Sequence, residues 1–239
     1  DAEWELIAAA LPCLLQGDND RLQTVCDQLF QFFHFTGHWD DLLWLSKQAE
    51  ALALAAGDKN NAGWRVCRAG YVYSLRNQPA EMLVCAARAD AHWENGSPLQ
   101  KATAIQLRGL EHELQKDYPA AIASYRKALE IQRAISPESG NVGIALNCLA
   151  NAELGIKDYT AAERDFREAL RIAKKVDNQE GVATYTCNLA LLACEREQWA
   201  EAESLAREAL ALSEKVGRHE LIANACLHIA YALLKQNRA

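Results

Sequence analysis

The stretch Asn147-Cys-Leu-Ala150 decides the fold. It is followed by the short polar break Lys157-Asp-Tyr159 and then by the segment Ala162-x-x-x-Phe166-x-x-Ala169. The alanines and Phe166 are three and four positions apart, which places them on one face of an α-helix. The stretch therefore predicts two helices joined by a tight turn, with Tyr159 opening the second helix.

Two markers of this helix pair recur along the chain with a period of about 40 residues. The aromatic residue or proline that opens each second helix lies at five positions, with steps of 40, 39, 41 and 40: Trp39, Pro79, Tyr118, Tyr159 and Trp199. The small residue that lets the second helix approach the first recurs with the same period, with one exception, at Phe30: Phe30, Gly70, Gly109, Ala150, Ala190 and Ala230. Glycines just past two helices, Gly57 and Gly217, fit left-handed helix ends. The chain is therefore predicted to be a helical repeat protein.

This order of residues resembles the tetratricopeptide repeat family over nearly the whole chain. The resemblance implies an all-α fold, a right-handed α-solenoid of antiparallel helix pairs that forms one continuous domain over residues 1–239. We expect an opening helix at 3–16, interrupted by Pro12, five helix pairs and a lone first helix of a sixth unit at 218–239. The five pairs are predicted at 20–57, 58–96, 97–136, 137–177 and 178–217.

The period of about 40, rather than the common 34, resembles the long-repeat branch of the family. That branch includes kinesin light chains, bacterial peptide-sensing regulators and the sensor repeats of STAND/NB-ARC-type ATPases. The segments Phe35-Thr-Gly-His-Trp39 and Ala55-Ala-Gly-Asp58 resemble the last group most. Because no Gly-x-x-x-x-Gly-Lys loop is present, an ATPase domain would have to lie outside this sequence. The start at Asp1 instead of methionine suggests a piece of a longer protein or a processed product.

Charge and composition exclude several classes of function. The net charge is −7 and no run of five like charges occurs, so nucleic acid is not an expected ligand. No apolar run approaches the ~20 residues that span a bilayer, so no membrane partner is expected. The eight cysteines include no Cys-x-x-Cys pair, and most, including Cys26, Cys148 and Cys226, lie among alanines and leucines. We interpret them as structural thiols in a reducing cytoplasm.

The resemblance implies that the first helix of each pair lines a concave groove. On each first helix, the positions two and six before the small residue share one face. With their neighbours on that face they form the candidate peptide- or protein-binding groove: Gln28, Trp64, Arg68, Tyr71, Asn147, Asn151, Thr184, Asn188, Asn224, His228 and Tyr231. Asparagine can both donate to and accept from a peptide backbone, so the row suits an extended peptide.

Alternatives to groove binding remain open from the sequence. The asparagines could instead tie neighbouring helices together or face water. Arg68 could contact an anion or carboxylate, or it could pair with a neighbouring acid. Asn147, Asn151 and Asn188 match positions of the carboxylate clamp found in some members of the family, but cationic partners are missing nearby, which disfavours that type of binding.

No catalytic site is predicted. Cys187 and Asn188 beside His228 could suggest a thiol nucleophile with a base, but a buried thiol is the favoured interpretation. His34 and His38 are four residues apart, but His38 falls in a break, so no metal site is expected. We expect neither enzyme activity nor a cofactor. The predicted function is a non-catalytic protein- or peptide-binding scaffold, the recognition or regulatory arm of a larger cytoplasmic signalling protein. The alternative is an oligomerisation or structural module that joins copies or flanking domains.

Overall fold

The computed structural model describes the backbone of residues 2–237 and their side chains, except those of Ala2, Glu3, His34 and Phe35. The predicted domain bounds at residues 1 and 239 lie outside the described residues. So does the side chain of His34, which the prediction about a metal site with His38 concerns. The chain divides into two compact units, Asp1–Leu114 and Gln115–Ala239, each of which is described by itself. The continuity of one solenoid over residues 1–239 stays a prediction.

Both units are built from helices alone, with no strand among residues 2–237. The first unit contains α1 (Ala2–Leu15), α2 (Asn19–Thr36), α3 (Trp39–Ala55), α4 (Lys59–Leu75), α5 (Pro79–His92) and α6 (Pro98–Leu114). The second unit contains α7 (Tyr118–Ile135), α8 (Gly140–Gly155), α9 (Tyr159–Lys175), α10 (Gln179–Glu195), α11 (Trp199–Val216) and α12 (His219–Lys235). The all-α prediction is thus confirmed, and α1 runs through Pro12 without a break.

The second helices begin where the sequence predicts. Helices α3, α5, α7, α9 and α11 start at the five predicted openers, Trp39, Pro79, Tyr118, Tyr159 and Trp199. Four helices, two of them second helices, are preceded by an aspartate whose side chain accepts a hydrogen bond from a backbone N–H of the first turn: Asp18 before α2, Asp58 before α4, Asp117 before α7 and Asp158 before α9. Such caps satisfy backbone donors that have no partner inside the helix. They fix where each helix starts.

Small residues allow the close packing of helix pairs. Ala150 and Ala190 are fully buried, as are the central residues Tyr125, Phe166 and Ala206 of the second helices. Ala230, predicted to occupy the same packing position in α12, is exposed. That prediction is wrong because, within residues 2–237, the faces of α12 that pack on α10 and α11 present Leu221, Ala225 and Ala232 instead.

In the second unit the first helices form the inner layer. Helix α10 packs on both α8 and α12, whereas the backbones of the second helices α9 and α11 lie farther apart. The outer helices are therefore splayed and the inner ones close together. A face of α8, α10 and α12 that points away from their second helices can act as one surface.

Five cysteines are buried: Cys26, Cys67, Cys85, Cys187 and Cys194. Burial raises the thiol pKa of all five, to about 11 for Cys26, Cys85 and Cys187 and to about 12 for Cys67. Cys13 and Cys226 are both exposed, so the interpretation of Cys226 as a structural thiol is wrong. No helix among the described residues combines the length and the apolar character that crossing a bilayer requires.

Candidate functional site

An amide pair joins two first helices of the second unit. Asn188 of α10 donates a hydrogen bond from Nδ2 to Oδ1 of Asn147 on α8, over 2.7 Å. This contact matches one of the alternatives left open from the sequence, that asparagines tie neighbouring helices. The pair is not saturated, since Asn147 keeps two N–H donors and Asn188 keeps its carbonyl oxygen. Both side chains are half-buried, so a ligand could extend the same chain of amides in either direction.

Three other predicted groove residues of this unit have polar atoms to offer a ligand. Among the described residues, Asn151 on α8 and Asn224 and His228 on α12 make no side-chain hydrogen bond; Asn151 and His228 are half-buried and Asn224 is exposed. Burial lowers the pKa of His228 below 6.5, so its imidazole is neutral near pH 7. A neutral imidazole carries one donor and one acceptor, which again suits a peptide backbone.

Two predicted positions of this unit are already engaged. Thr184 donates its hydroxyl hydrogen to the carbonyl oxygen of Glu180 one turn earlier, over 2.9 Å. The ring of Tyr231 packs edge-on against Trp199, with centroids 5.5 Å apart, and Nζ of Lys235 lies 5.4 Å from the Tyr231 ring centre. Tyr231 therefore helps to fix α12 on α11, and only its remaining exposed surface could contact a ligand.

In the first unit the predicted residues centre on Arg68. The Arg68 guanidinium carbon lies 3.8 Å from the centre of the Phe30 ring, and the Phe30 ring lies 6.1 Å from that of Tyr71. Among the described residues, no carboxylate comes within 4.0 Å of Arg68 and its Nε has no hydrogen-bond partner. Burial chiefly lowers the pKa of Arg68, which nevertheless stays charged. The structure thus disagrees with pairing to an acid.

The other predicted residues of this unit differ in role. Trp64 is half-buried, packs edge-on against Trp93, with centroids 5.0 Å apart, and lies against the hydrophobic core. Gln28 is exposed on α2. Arg68 with Tyr71 is therefore the part of the predicted set that could meet a ligand with a specific contact.

Arg65, the largest fully buried side chain of the described residues, is not among the residues predicted from the sequence. Its Nη2 bonds Asp27 Oδ1 over 2.5 Å, while Nε has no partner among those residues. Asp27 therefore pairs directly with Arg65, whereas Arg68, one turn later, is affected by the charge of Asp27 only beyond ion-pair distance. A usable signal exists: Asp27 and Arg65 lie 38 residues apart, as do the pairs Glu50–Arg88 and Glu180–Arg218. Opposite charges at this separation tie adjacent repeats together.

The thiol considered as a nucleophile lies in the core. Cys187 is 2% exposed and burial raises its pKa to about 11, so it stays protonated near neutral pH. Within the described residues, no group of three or more His, Cys, Asp or Glu side chains is arranged to hold a metal ion.

Comparisons with known proteins agree with this architecture. A family model described as Tetratricopeptide repeat matches residues 101–175 and again 141–215. No curated protein sequence matches the chain. The fold is similar to that of BtubC (BKLC) from P. vanneervenii, with a TM-score of 0.64 and 18% identity over 84% of this chain and 85% of that one.

Two further solved structures share the fold. Aspartyl phosphate phosphatase F from Bacillus subtilis has a TM-score of 0.68 at 15% identity, over 84% of this chain but 54% of that protein. The apo form of RapI has a TM-score of 0.57 at 14% identity, over 93% and 85% of the two chains. At these identities the likeness concerns the fold alone. The family match over residues 101–215, together with the repeated helix pairs found there, identifies this part of the chain as tetratricopeptide repeats.

Proposed function

We propose that the chain is a non-catalytic scaffold that binds an extended peptide segment of a partner protein on the first helices of its second unit. The observation that carries this proposal is the unsaturated amide pair Asn147–Asn188, which bridges α8 and α10. Asn151 and the neutral His228 extend the same polar face without partners of their own among the described residues. Unsatisfied, half-buried amides gain most from a ligand that replaces water with backbone hydrogen bonds.

The geometry sets a minimum length for the ligand. Packed helices lie about 8–10 Å apart, so three first helices span roughly 16–20 Å. An extended chain advances about 3.3 Å per residue, and a segment of about six residues therefore crosses the face. Because amides recognise backbone and not side chains, the proposed site would favour extended conformation over a particular sequence.

The test begins with peptides selected from a random decapeptide phage library on the purified chain. Their affinity is then measured by fluorescence anisotropy for the wild type and for Asn151→Ala, Asn188→Ala and His228→Ala. A lost hydrogen bond is worth about 1 kcal/mol, so each variant should raise Kd about fivefold. Gln48→Ala removes an exposed amide from α3, a second helix of the first unit, and serves as the control. If all three groove variants bound the peptides with unchanged affinity, the binding site would have to lie elsewhere on the chain.

We further propose that this scaffold is the recognition or regulatory arm of a larger cytoplasmic signalling protein. Support comes from the resemblance of the long repeats to the sensor arms of STAND/NB-ARC-type ATPases, and from a family that typically binds proteins. The sequence upstream of Asp1 tests this proposal. A nucleotide-binding loop there would support a sensor arm, and a DNA-binding helix pair would indicate a transcription regulator instead.

A second candidate function is self-association through α12. Leu227 and Leu234 on this helix are 64% and 60% exposed, which favours a covering surface such as a second copy. Sedimentation velocity at several concentrations tests it, because a dimer that dissociates on Leu227→Glu and Leu234→Glu substitution would support self-association. A strictly monomeric wild type would eliminate it.

A further inference from the structure

Helix α8 borders a pocket on the face opposite the amide pair. Leu146 and Leu149 lie on one side of the helix, while Asn147 and Asn151 lie on the other, as the 100° step per residue requires. The two leucines form the floor of a pocket of about 830 Å³ whose walls come from the second helices α7 and α9. Both of these helices pack on α8, and the space between them is the pocket. The pocket therefore lies apart from the proposed groove.

Arginines dominate the walls of this pocket. Five arginines line it against two acids, Asp165 and Glu168: Arg126, Arg133, Arg164, Arg167 and Arg171. The chain as a whole carries a charge of −7, so the lining of this pocket is more basic than the rest of the chain, although Glu138, Glu153 and Glu163 beside it also pair with its arginines. Repulsion among the guanidinium groups is reduced by neighbouring carboxylates that form ion pairs with them.

Arg164 and Arg171 are each held by both oxygens of a carboxylate, Asp165 and Glu168, whereas two other arginines keep more donors for a ligand. Arg126 donates from Nη2 to Glu153 over 3.1 Å, and Arg167 donates from Nε to Glu163 over 2.8 Å. The side chains of Arg126 and Arg167 remain 61% and 56% exposed. A guanidinium has five N–H donors in a fixed fork, so each of these retains donors for a ligand.

Arg133 completes this set of arginines. It is exposed near the end of α7, and among the described residues it makes no hydrogen bond or ion pair. The hydrogen bond from Arg171 lowers the pKa of Glu168 most, and the charge of Arg133 lowers it further, so Arg133 lies near the acids of this pocket. Arg133 lies beside four arginines that are each partly engaged by acids. This arrangement favours a ligand with several negative charges, which can contact more than one arginine at once.

We propose that this pocket binds an acidic peptide segment of a protein partner. Carboxylates of the segment would accept paired hydrogen bonds from the guanidinium forks. Because Leu146 and Leu149 are only 1% and 2% exposed, an apolar side chain of the segment would pack on the aliphatic stems of the lining arginines. The volume accommodates several residues, whereas a lone inorganic anion would leave most of it unfilled. Nucleic acid is disfavoured because the rest of the chain repels it. This proposal does not depend on the function proposed for the amide face.

The test uses a fluorescein-labelled hexapeptide of four glutamates and two leucines, with a control peptide in which glutamines replace the glutamates. Binding is measured by anisotropy at low salt. The double variant Arg133→Gln, Arg167→Gln should weaken binding at least tenfold, which corresponds to about 1.4 kcal/mol. Arg133→Lys keeps the charge but loses the fork, so it should fall between wild type and Arg133→Gln. The glutamine peptide should bind at least tenfold more weakly.

The control variant is Arg207→Gln, which removes an exposed arginine from α11 that also has one acid partner, Glu203. It should leave the affinity within twofold of wild type. An equal loss in Arg207→Gln would reveal nonspecific attraction and overturn the proposal, as would equal binding of the glutamine peptide. Displacement of the peptide by millimolar inorganic phosphate, with no contribution from its leucines, would show an anion site only and would also overturn it. Asn151→Ala should have no effect, which separates this pocket from the amide face.

Discussion

Replacing Gly63 by alanine should destabilise the first unit, although the same change elsewhere in a helix is favourable. A Cβ built on Gly63 would lie 2.7 Å from Cζ2 of Trp93 and closer still to Cε2 and Nε1. Ordinary carbon contacts are about 3.5–4.0 Å, so the indole must move by roughly 1 Å. Trp93 is only 3% exposed, packs against Trp64, and donates from Nε1 to the Asn60 carbonyl oxygen over 3.2 Å.

The expected magnitude follows from three contributions. Overpacking a buried site costs about 1–3 kcal/mol, and the lost indole hydrogen bond costs about 1 kcal/mol. The higher helix propensity of alanine offsets about 1 kcal/mol of this loss. The free energy of unfolding should therefore fall by about 2 kcal/mol, which shifts the urea midpoint by about 1 M.

Urea unfolding monitored by tryptophan fluorescence reads out this unit selectively, because all tryptophans except Trp199 lie before residue 115. Gly140→Ala, followed by circular dichroism, is the control, since a Cβ there meets nothing within 4 Å, and it should be neutral or stabilising. In a Trp93→Phe background, the smaller ring should reduce the cost of Gly63→Ala. If Gly63→Ala were as stable as wild type, the close packing of Trp93 on α4 would be refuted.

Three further predictions concern the helix ends, a histidine and the thiols. Gly57 has a φ of +76° with open space around its Cβ position, so Gly57→Ala should cost about 1 kcal/mol through backbone strain alone, measured by urea unfolding against Gly140→Ala. Because burial lowers the folded-state pKa of His228 below 6.5, the unfolded chain is protonated first as pH falls. The stability that wild type has relative to His228→Gln should be constant above about pH 6.5 and decline as the pH falls from there to the folded pKa; a pH-independent difference would contradict this. Exposed Cys13 and Cys226 should react rapidly with a thiol reagent, while the five buried thiols should react only on unfolding, and rapid reaction of more than three would contradict the burial described.

Sequence periodicity predicted the helix pairs because their packing uses a few residue types at fixed spacing. Trp39, Tyr159 and Trp199 open helices as predicted, since an aromatic at that position covers the junction of each pair. The turns before them were predicted less well. Glycine at 57 was recognised as a left-handed helix end, but Lys157 and Glu197 adopt the same conformation, with φ of 63° and 59°. Neither residue signals this conformation, which neighbouring capping and packing impose.

The candidate sites were only partly predictable for a different reason. Helix periodicity placed Asn147 and Asn188 on one face, but it could not show that they bond each other across two helices. The arginine pocket was missed because its residues come from α7 and α9, about 40 residues apart, and charges on outer helices usually face water. The ion pair between Arg65 and Asp27 was missed because arginine is rarely buried at a core position.

The most direct test of peptide binding on the first helices is ¹⁵N NMR of the side-chain amides during titration with a library-selected peptide. The Nδ2 resonances of Asn147, Asn151 and Asn188 should shift on binding, while the side-chain amide of Gln48 should not, because it lies on a second helix of the first unit. Saturated binding that leaves the three asparagine side-chain resonances unmoved would contradict the account.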